Sequence, residues 1–164
     1  MILSRSNQKN QEGPYSFQDR FHDIKRIVII YPEQLKWLRI ARYALQRMYN
    51  LPEQFEFLLL VPKGSARSTL DISHEYGDMV YAPRESERIA IQGQIAIFNP
   101  DILLQLEPEP GKRFTKLIHS LNIALKIGFG SENSGLNVIY SQNESGFYEK
   151  NLLNLIALIE MKVR

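Results

Sequence analysis

The chain contains the segment Lys25-Arg26-Ile27-Val28-Ile29-Ile30-Tyr31, in which four apolar residues rich in β-branching follow one another. A continuous run of this kind indicates a strand that is buried on both faces, as in parallel sheets. Pro32 ends the strand. A helix is predicted from Gln34 to Tyr49, because apolar residues recur there at helical spacing. These residues are Leu38, Ala41, Leu45 and Met48.

Strands and helices continue to alternate along the rest of the chain. Further strands are predicted at 56–61, 78–82, 101–106 and 124–129, and further helices at about 114–121 and 146–161. Residues 85–98 fit two patterns, because their isoleucines partly alternate as in a strand, yet a crossover helix is expected at this place. We predict the helix there, and an extended segment from Leu136 to Tyr140. The order predicts an α/β domain with a parallel sheet of about five strands and helices on both faces.

Composition limits the classes of protein to which this chain can belong. Its 164 residues fit one domain, and we assign residues 15–164 to it. Residues 1–14 are polar and predict a mobile arm. The net charge of +2, from 20 basic and 18 acidic residues, argues against a nucleic-acid binder.

The chain has no cysteine, which excludes disulfides and thiolate chemistry and fits a reducing compartment. No apolar run reaches the roughly 18 residues of a membrane span, and no apolar core follows the basic residues near the N-terminus. We therefore expect a cytoplasmic protein without a membrane span.

Two candidate sites follow strands whose carboxyl ends meet at one edge of the predicted sheet. Glu33 follows the first strand, where it is placed either to act as a general base or to complement the dipole of the next helix. The loop 63–69 follows the second strand and offers cations and hydroxyl groups for a phosphate, or is a solvated surface loop. The ligand-binding candidates in this loop are Lys63, Ser65, Arg67, Ser68 and Thr69.

Other motifs in the sequence do not predict a site. The segment from Gly128 to Gly135 superficially resembles a dinucleotide-binding loop, but its glycine spacing differs from that pattern, and we interpret it as a connection. The three histidines, His22, His74 and His119, share no metal-ligand spacing. We predict neither a metal nor a cofactor, and we assign Trp37 to packing.

A family resemblance extends over roughly residues 25–160. The strand 101–106, led by Asp101, a following helix and then Leu125-Lys126-Ile127-Gly128-Phe129 resemble the N-terminal half of the heptosyltransferase-type glycosyltransferases, glycosyltransferase family nine. The closing helix, with Phe147-Tyr148-Glu149-Lys150-Asn151-Leu152-Leu153, resembles the one in that half. The family has two facing Rossmann-like domains, of which the first holds the acceptor and the second the nucleotide-sugar donor.

The resemblance implies a Rossmann-like, acceptor-side domain without its donor domain. The family's catalytic carboxylate lies in a Gly-Asp loop after the first strand, where this chain has Pro32 and Glu33. Our leading hypothesis is a stand-alone, non-catalytic glycosyltransferase-like domain that binds a partner protein, a second copy of itself or a saccharide-type ligand. The alternatives are a glycosyltransferase completed by a separate donor-binding chain, and a phosphate-ligand binder that uses the loop 63–69.

Overall fold

The structure, a computed structural model, describes residues 24–49, 55–62, 78–81, 85–140 and 147–163. The predicted arm at residues 1–14, two of the histidines and the candidate loop 63–69 lie outside the described residues. The fold below is therefore that of the described ranges, which include the predicted strands and helices.

Six parallel strands form one sheet in the order β3-β2-β1-β4-β5-β6. The strands are β1 (Arg26–Ile30), β2 (Glu56–Pro62), β3 (Asp78–Tyr81), β4 (Ile102–Gln105), β5 (Leu125–Gly128) and β6 (Val138–Ile139). The described helices are α1 (Leu35–Tyr49), α2 (Glu85–Phe98), α3 (Lys112–Ser120) and α4 (Tyr148–Val163). This confirms the predicted α/β, Rossmann-like class. The segment predicted to be extended supplies the short sixth strand.

The central strand β1 has a neighbour on each edge. Ile29 pairs with Leu59 of β2 and with Leu104 of β4, and its side chain is 0% exposed. Ile27 and Ile29 point into the core under α1 and α4, whereas the alternate residues Val28 and Ile30 point into the core under α2 and α3. The strand is thus covered on both faces, as its unbroken apolar run predicts.

The helix predicted for residues 85–98 is confirmed as α2, although its isoleucines partly alternate in sequence. Ile91 and Ile95 are buried one helical turn apart, while Ile89 and Ile97 are 72% and 80% exposed. The isoleucines alternate in sequence because they come from two opposite faces of the helix, and both faces are apolar.

Asp101 fixes the amino ends of β1 and β4 to each other. Its carboxylate oxygen Oδ2 accepts hydrogen bonds from the backbone N–H groups of Lys25, at 2.9 Å, and Arg26, at 2.8 Å. The aspartate that leads the fourth strand thus holds two strands together at the edge of the sheet opposite to the carboxyl ends.

We expect Ile29→Asp to unfold the domain. An unpaired carboxylate at a fully buried position costs several kcal/mol, which is comparable to the whole free energy of unfolding of an ordinary domain, about 5–15 kcal/mol. The matched control is Leu153→Asp, which introduces the same charge at an exposed aliphatic residue. Circular dichroism melting should show loss of the folded state in the first variant only, and a cooperative transition near that of the parent for Ile29→Asp would contradict the fold.

Candidate functional site

The candidate site lies where the strand order reverses, at the carboxyl ends of β1 and β4. From β1 the chain crosses to β2 on one side, and from β4 it crosses to β5 on the other. The loops that leave these two strands therefore diverge, and in open α/β sheets ligands bind at such a point. The polar and aromatic residues gathered here are called the switch-point cluster: Glu33, Trp37, Gln105, Glu107, Tyr148 and Asn151.

Glu107 is the centre of the switch-point cluster. Its side chain is only 3% exposed. Its Oε2 accepts a 2.8 Å hydrogen bond from the backbone N–H of Glu33, and its Oε1 accepts a longer one, 3.3 Å, from the backbone N–H of Glu109. The bond to Glu33 joins the loop after β4 to the loop after β1 across the switch point.

This carboxylate lies at the entrance of α1, which begins at Leu35, two residues after Glu33. The N-terminal end of a helix carries a partial positive charge, and its surrounding N–H groups favour anions. In dinucleotide-binding folds a pyrophosphate takes this position. In this chain a carboxylate instead accepts the N–H of Glu33, in the loop immediately before α1.

Gln105 connects the cluster to the end of β5 by hydrogen bonds. Its Nε2 donates to the backbone oxygen of Glu107 at 2.8 Å, and its Oε1 accepts from the backbone N–H of Phe129 at 3.2 Å. This packing explains Gly128, because a Cβ at that position would lie 2.3 Å from the backbone oxygen of Gln105. The glycine is therefore a requirement of packing between β4 and β5.

Tyr148, at the start of α4, packs against the cluster from the face of the sheet that α1 covers. Its hydroxyl donates a 2.6 Å hydrogen bond to the backbone oxygen of Leu106, and burial raises the pKa of Tyr148, so the hydroxyl remains a donor. The ring centroid lies 4.9 Å from that of Trp37 and 5.5 Å from that of Phe129. The prediction that Trp37 serves packing is confirmed.

Burial is the main reason why the pKa of Glu107 is raised above its usual range. The N–H groups of Glu33 and Glu109 oppose the shift by stabilising the carboxylate, whereas the negative charges of the same two residues add to it. The site thus holds a carboxylate in a position that favours its protonated form more than water does.

Two buried donors, one on α1 and one on α4, have no hydrogen-bond partner in the described part of the chain. They are the indole Nε1 of Trp37 and the side-chain Nδ2 of Asn151. Buried donors without an acceptor are rare in proteins. These two are therefore places where a hydroxyl oxygen, a carbonyl oxygen or a water molecule would complete a hydrogen bond.

Of the predicted site residues, the structure describes Glu33 but not those of the loop 63–69. Glu33 follows β1 as predicted, its side chain is exposed, and its role as a base remains a prediction. The phosphate-binding loop 63–69 lies outside the described residues. The loop that starts near Glu107 is one of those at which the sequence predicts a ligand, because it follows a strand at the carboxyl edge, but Glu107 itself was not predicted as a site residue.

The connection from Gly130 to Gly135 leads into β6 and not into a helix, so the helix of a dinucleotide-binding loop does not follow it. Gly135 has φ +79°, a conformation that favours glycine. His119 Nε2 lies 2.9 Å from the backbone oxygen of Asn133 and anchors this loop to α3. Across the described ranges, no group of three histidine or carboxylate side chains is placed to hold a metal ion.

The sequence matches no protein-family model. It has no significant match among curated proteins either. Among the described residues, no helix is both long and apolar enough to cross a membrane.

The pKa of Glu107 gives a testable dependence of stability on pH. Since its pKa is raised in the folded chain, the folded state binds more protons than the unfolded state from about pH 4.5 up to the raised value. Over that window the free energy of unfolding should fall as pH rises, and Glu107→Gln should remove this part of the dependence. Urea unfolding at a series of pH values measures it.

The matched control for this experiment is Glu132→Gln, which changes an exposed glutamate in the loop before β6 and should keep the parent's profile. A parent protein that gains stability relative to Glu107→Gln as pH rises through this window would contradict the assigned environment of Glu107.

Proposed function

We propose that this chain is a non-catalytic, glycosyltransferase-like binding domain whose switch-point cluster takes a neutral, saccharide-type ligand. The observation that carries the proposal is the buried carboxylate of Glu107, held at the entrance of α1 by the N–H of Glu33. The resemblance to the acceptor-side half of family-nine glycosyltransferases supports the same ligand class.

Charge favours a neutral ligand over a phosphate. The carboxylates of Glu33, Glu107 and Glu109 are close enough to influence the titration of Glu107. A nucleoside diphosphate placed at the entrance of α1 would meet these negative charges and would have to displace the hydrogen bond from Glu33 to Glu107. A sugar brings no charge to this place.

Hydrogen-bonding chemistry favours a polyhydroxylated ligand. Carboxylate oxygens accept O–H groups strongly, and the site has such acceptors at Glu33 and Glu107. The unpartnered donors on Trp37 and Asn151 are of the complementary type, suited to the oxygen atoms of a hydroxyl group. Both donors are buried, so a ligand oxygen would reach them only after a side chain moves.

The test is a titration of the full chain, followed by amide NMR, with methyl glycosides of common hexoses and, separately, with UDP and UDP-glucose. We expect the glycosides to shift the amide signals of Glu33, Glu107 and Glu109 with weak affinity. Glu107→Gln should weaken that binding about tenfold or more, because hydrogen bonds to a charged acceptor are worth more than neutral ones.

Glu132→Gln is again the matched control and should bind the glycosides like the parent. Shifts at the switch-point cluster with UDP but with none of the glycosides would contradict the proposal, since they would place a phosphate-bearing ligand at the entrance of α1.

A second candidate is a glycosyltransferase that acts with a separate donor-binding chain. Its support is Glu33, a carboxylate at the carboxyl end of β1, where the resemblance places the catalytic base. General-base catalysis alone contributes only about 10²–10⁴-fold, and transfer also needs the donor held against the acceptor. Transfer of glucose from UDP-glucose to a methyl glycoside, with release of UDP, by the purified chain and abolished by Glu33→Gln with the fold intact, would favour a catalytic role over simple binding.

A further inference from the structure

Between residues 89 and 97, the face of α2 that points away from the sheet carries no charge, and most of its exposed residues are apolar. Ile89 and Ile97 on this face are 72% and 80% exposed, and Ala90, Gly93 and Ala96 beside them are exposed as well. Two large side chains so exposed on one helix, with no charge among residues 89–97, are unusual for a surface that faces only water. We call these five residues the α2 face.

The sequence of this helix is symmetric about Gly93. Residues 89–97 read Ile89-Ala90-Ile91-Gln92-Gly93-Gln94-Ile95-Ala96-Ile97, which is the same in both directions. The two exposed isoleucines therefore stand about one turn before and one turn after the glycine, on the same side of the helix. The two exposed alanines are placed symmetrically as well.

Among the residues that the structure describes, no packing contact explains Gly93. A Cβ at this position would meet nothing within 4 Å, and the residue lies in the middle of an exposed helix, where glycine lowers helix stability. A glycine at the centre of an apolar helix face allows a second helix backbone to approach closely.

We propose that the α2 face is the contact surface of a homodimer, in which α2 packs antiparallel on α2 of a second copy across a two-fold axis at Gly93. In a contact related by a two-fold axis, each residue before the axis position meets a residue after that position on the partner. The two residues lie the same number of positions from it. Ile89 then packs on the partner's Ile97, and Ala90 on the partner's Ala96. No charge is brought into the contact from residues 89–97.

The size of the face predicts how strong this association is. The nine residues span about 12 Å of helix axis, so the helix pair alone covers less than the roughly 800 Å² per partner of a standard interface. The dimer should therefore be weak and depend on protein concentration.

Sedimentation velocity of the full chain over a series of concentrations tests this surface. We expect a reversible equilibrium between monomer and dimer, and Ile97→Lys should raise the dissociation constant at least about tenfold, because the new charge would be buried without a partner. The matched control is Leu153→Lys, which places the same charge at a partly exposed leucine on α4, across the sheet, and should leave the equilibrium unchanged. Thermal melting of each variant checks that it is folded.

A pair of double variants tests the antiparallel register. In Ile89→Lys/Ile97→Glu, each lysine would face a glutamate of the partner across the axis, so self-association should return at low salt. In Ile89→Lys/Ile97→Lys, like charges would face each other, so the chain should stay monomeric. A parent chain that is monomeric at every concentration, a dimer that Ile97→Lys leaves unchanged, or a lysine–glutamate variant as monomeric as the lysine–lysine variant would overturn the proposal.

Discussion

The hydrogen bond from the N–H of Glu33 to the carboxylate of Glu107 joins the two loops that diverge at the switch point. Without it, the buried carboxylate would lose its shorter hydrogen bond, which is costly for a charged group away from water. Two backbone oxygens of the same segment also accept hydrogen bonds. Tyr148 donates to the oxygen of Leu106, and Gln105 donates to the oxygen of Glu107. The position of α4 and the end of β5 thus depend on the same short segment.

This arrangement separates the domain from dinucleotide-binding proteins that share its strand order. In those proteins the entrance of the first helix is left open for a phosphate, and glycines allow the ligand to approach. In this chain the carboxylate of Glu107 accepts the N–H of Glu33 in the loop before that helix, and Pro32 and Glu33 stand in this loop. The fold is compatible with many ligands, and this charge, not the topology, favours the proposed neutral, hydroxyl-rich ligand.

Sequence patterns predicted the elements well because burial leaves a local signal. The run from Ile27 to Ile30 predicted a central strand, and it has neighbours on both edges. The helix at 85–98 was harder to predict because both of its faces are apolar. The switch-point cluster left almost no local signal, since Glu107 bonds to a residue 74 positions earlier and Tyr148 to one 42 positions earlier. Such contacts follow from strand order, which a single sequence does not state.

The most direct test of the environment of Glu107 is an NMR titration of its side-chain carboxyl. The amide signal of Glu33 is followed in the same titration. If the carboxylate is buried and accepts that N–H, the pKa of Glu107 should lie above 4.5, and the Glu33 amide should shift with the same midpoint. A Glu107 carboxyl that titrates at or below 4.5, with a Glu33 amide that does not follow it, would contradict the account.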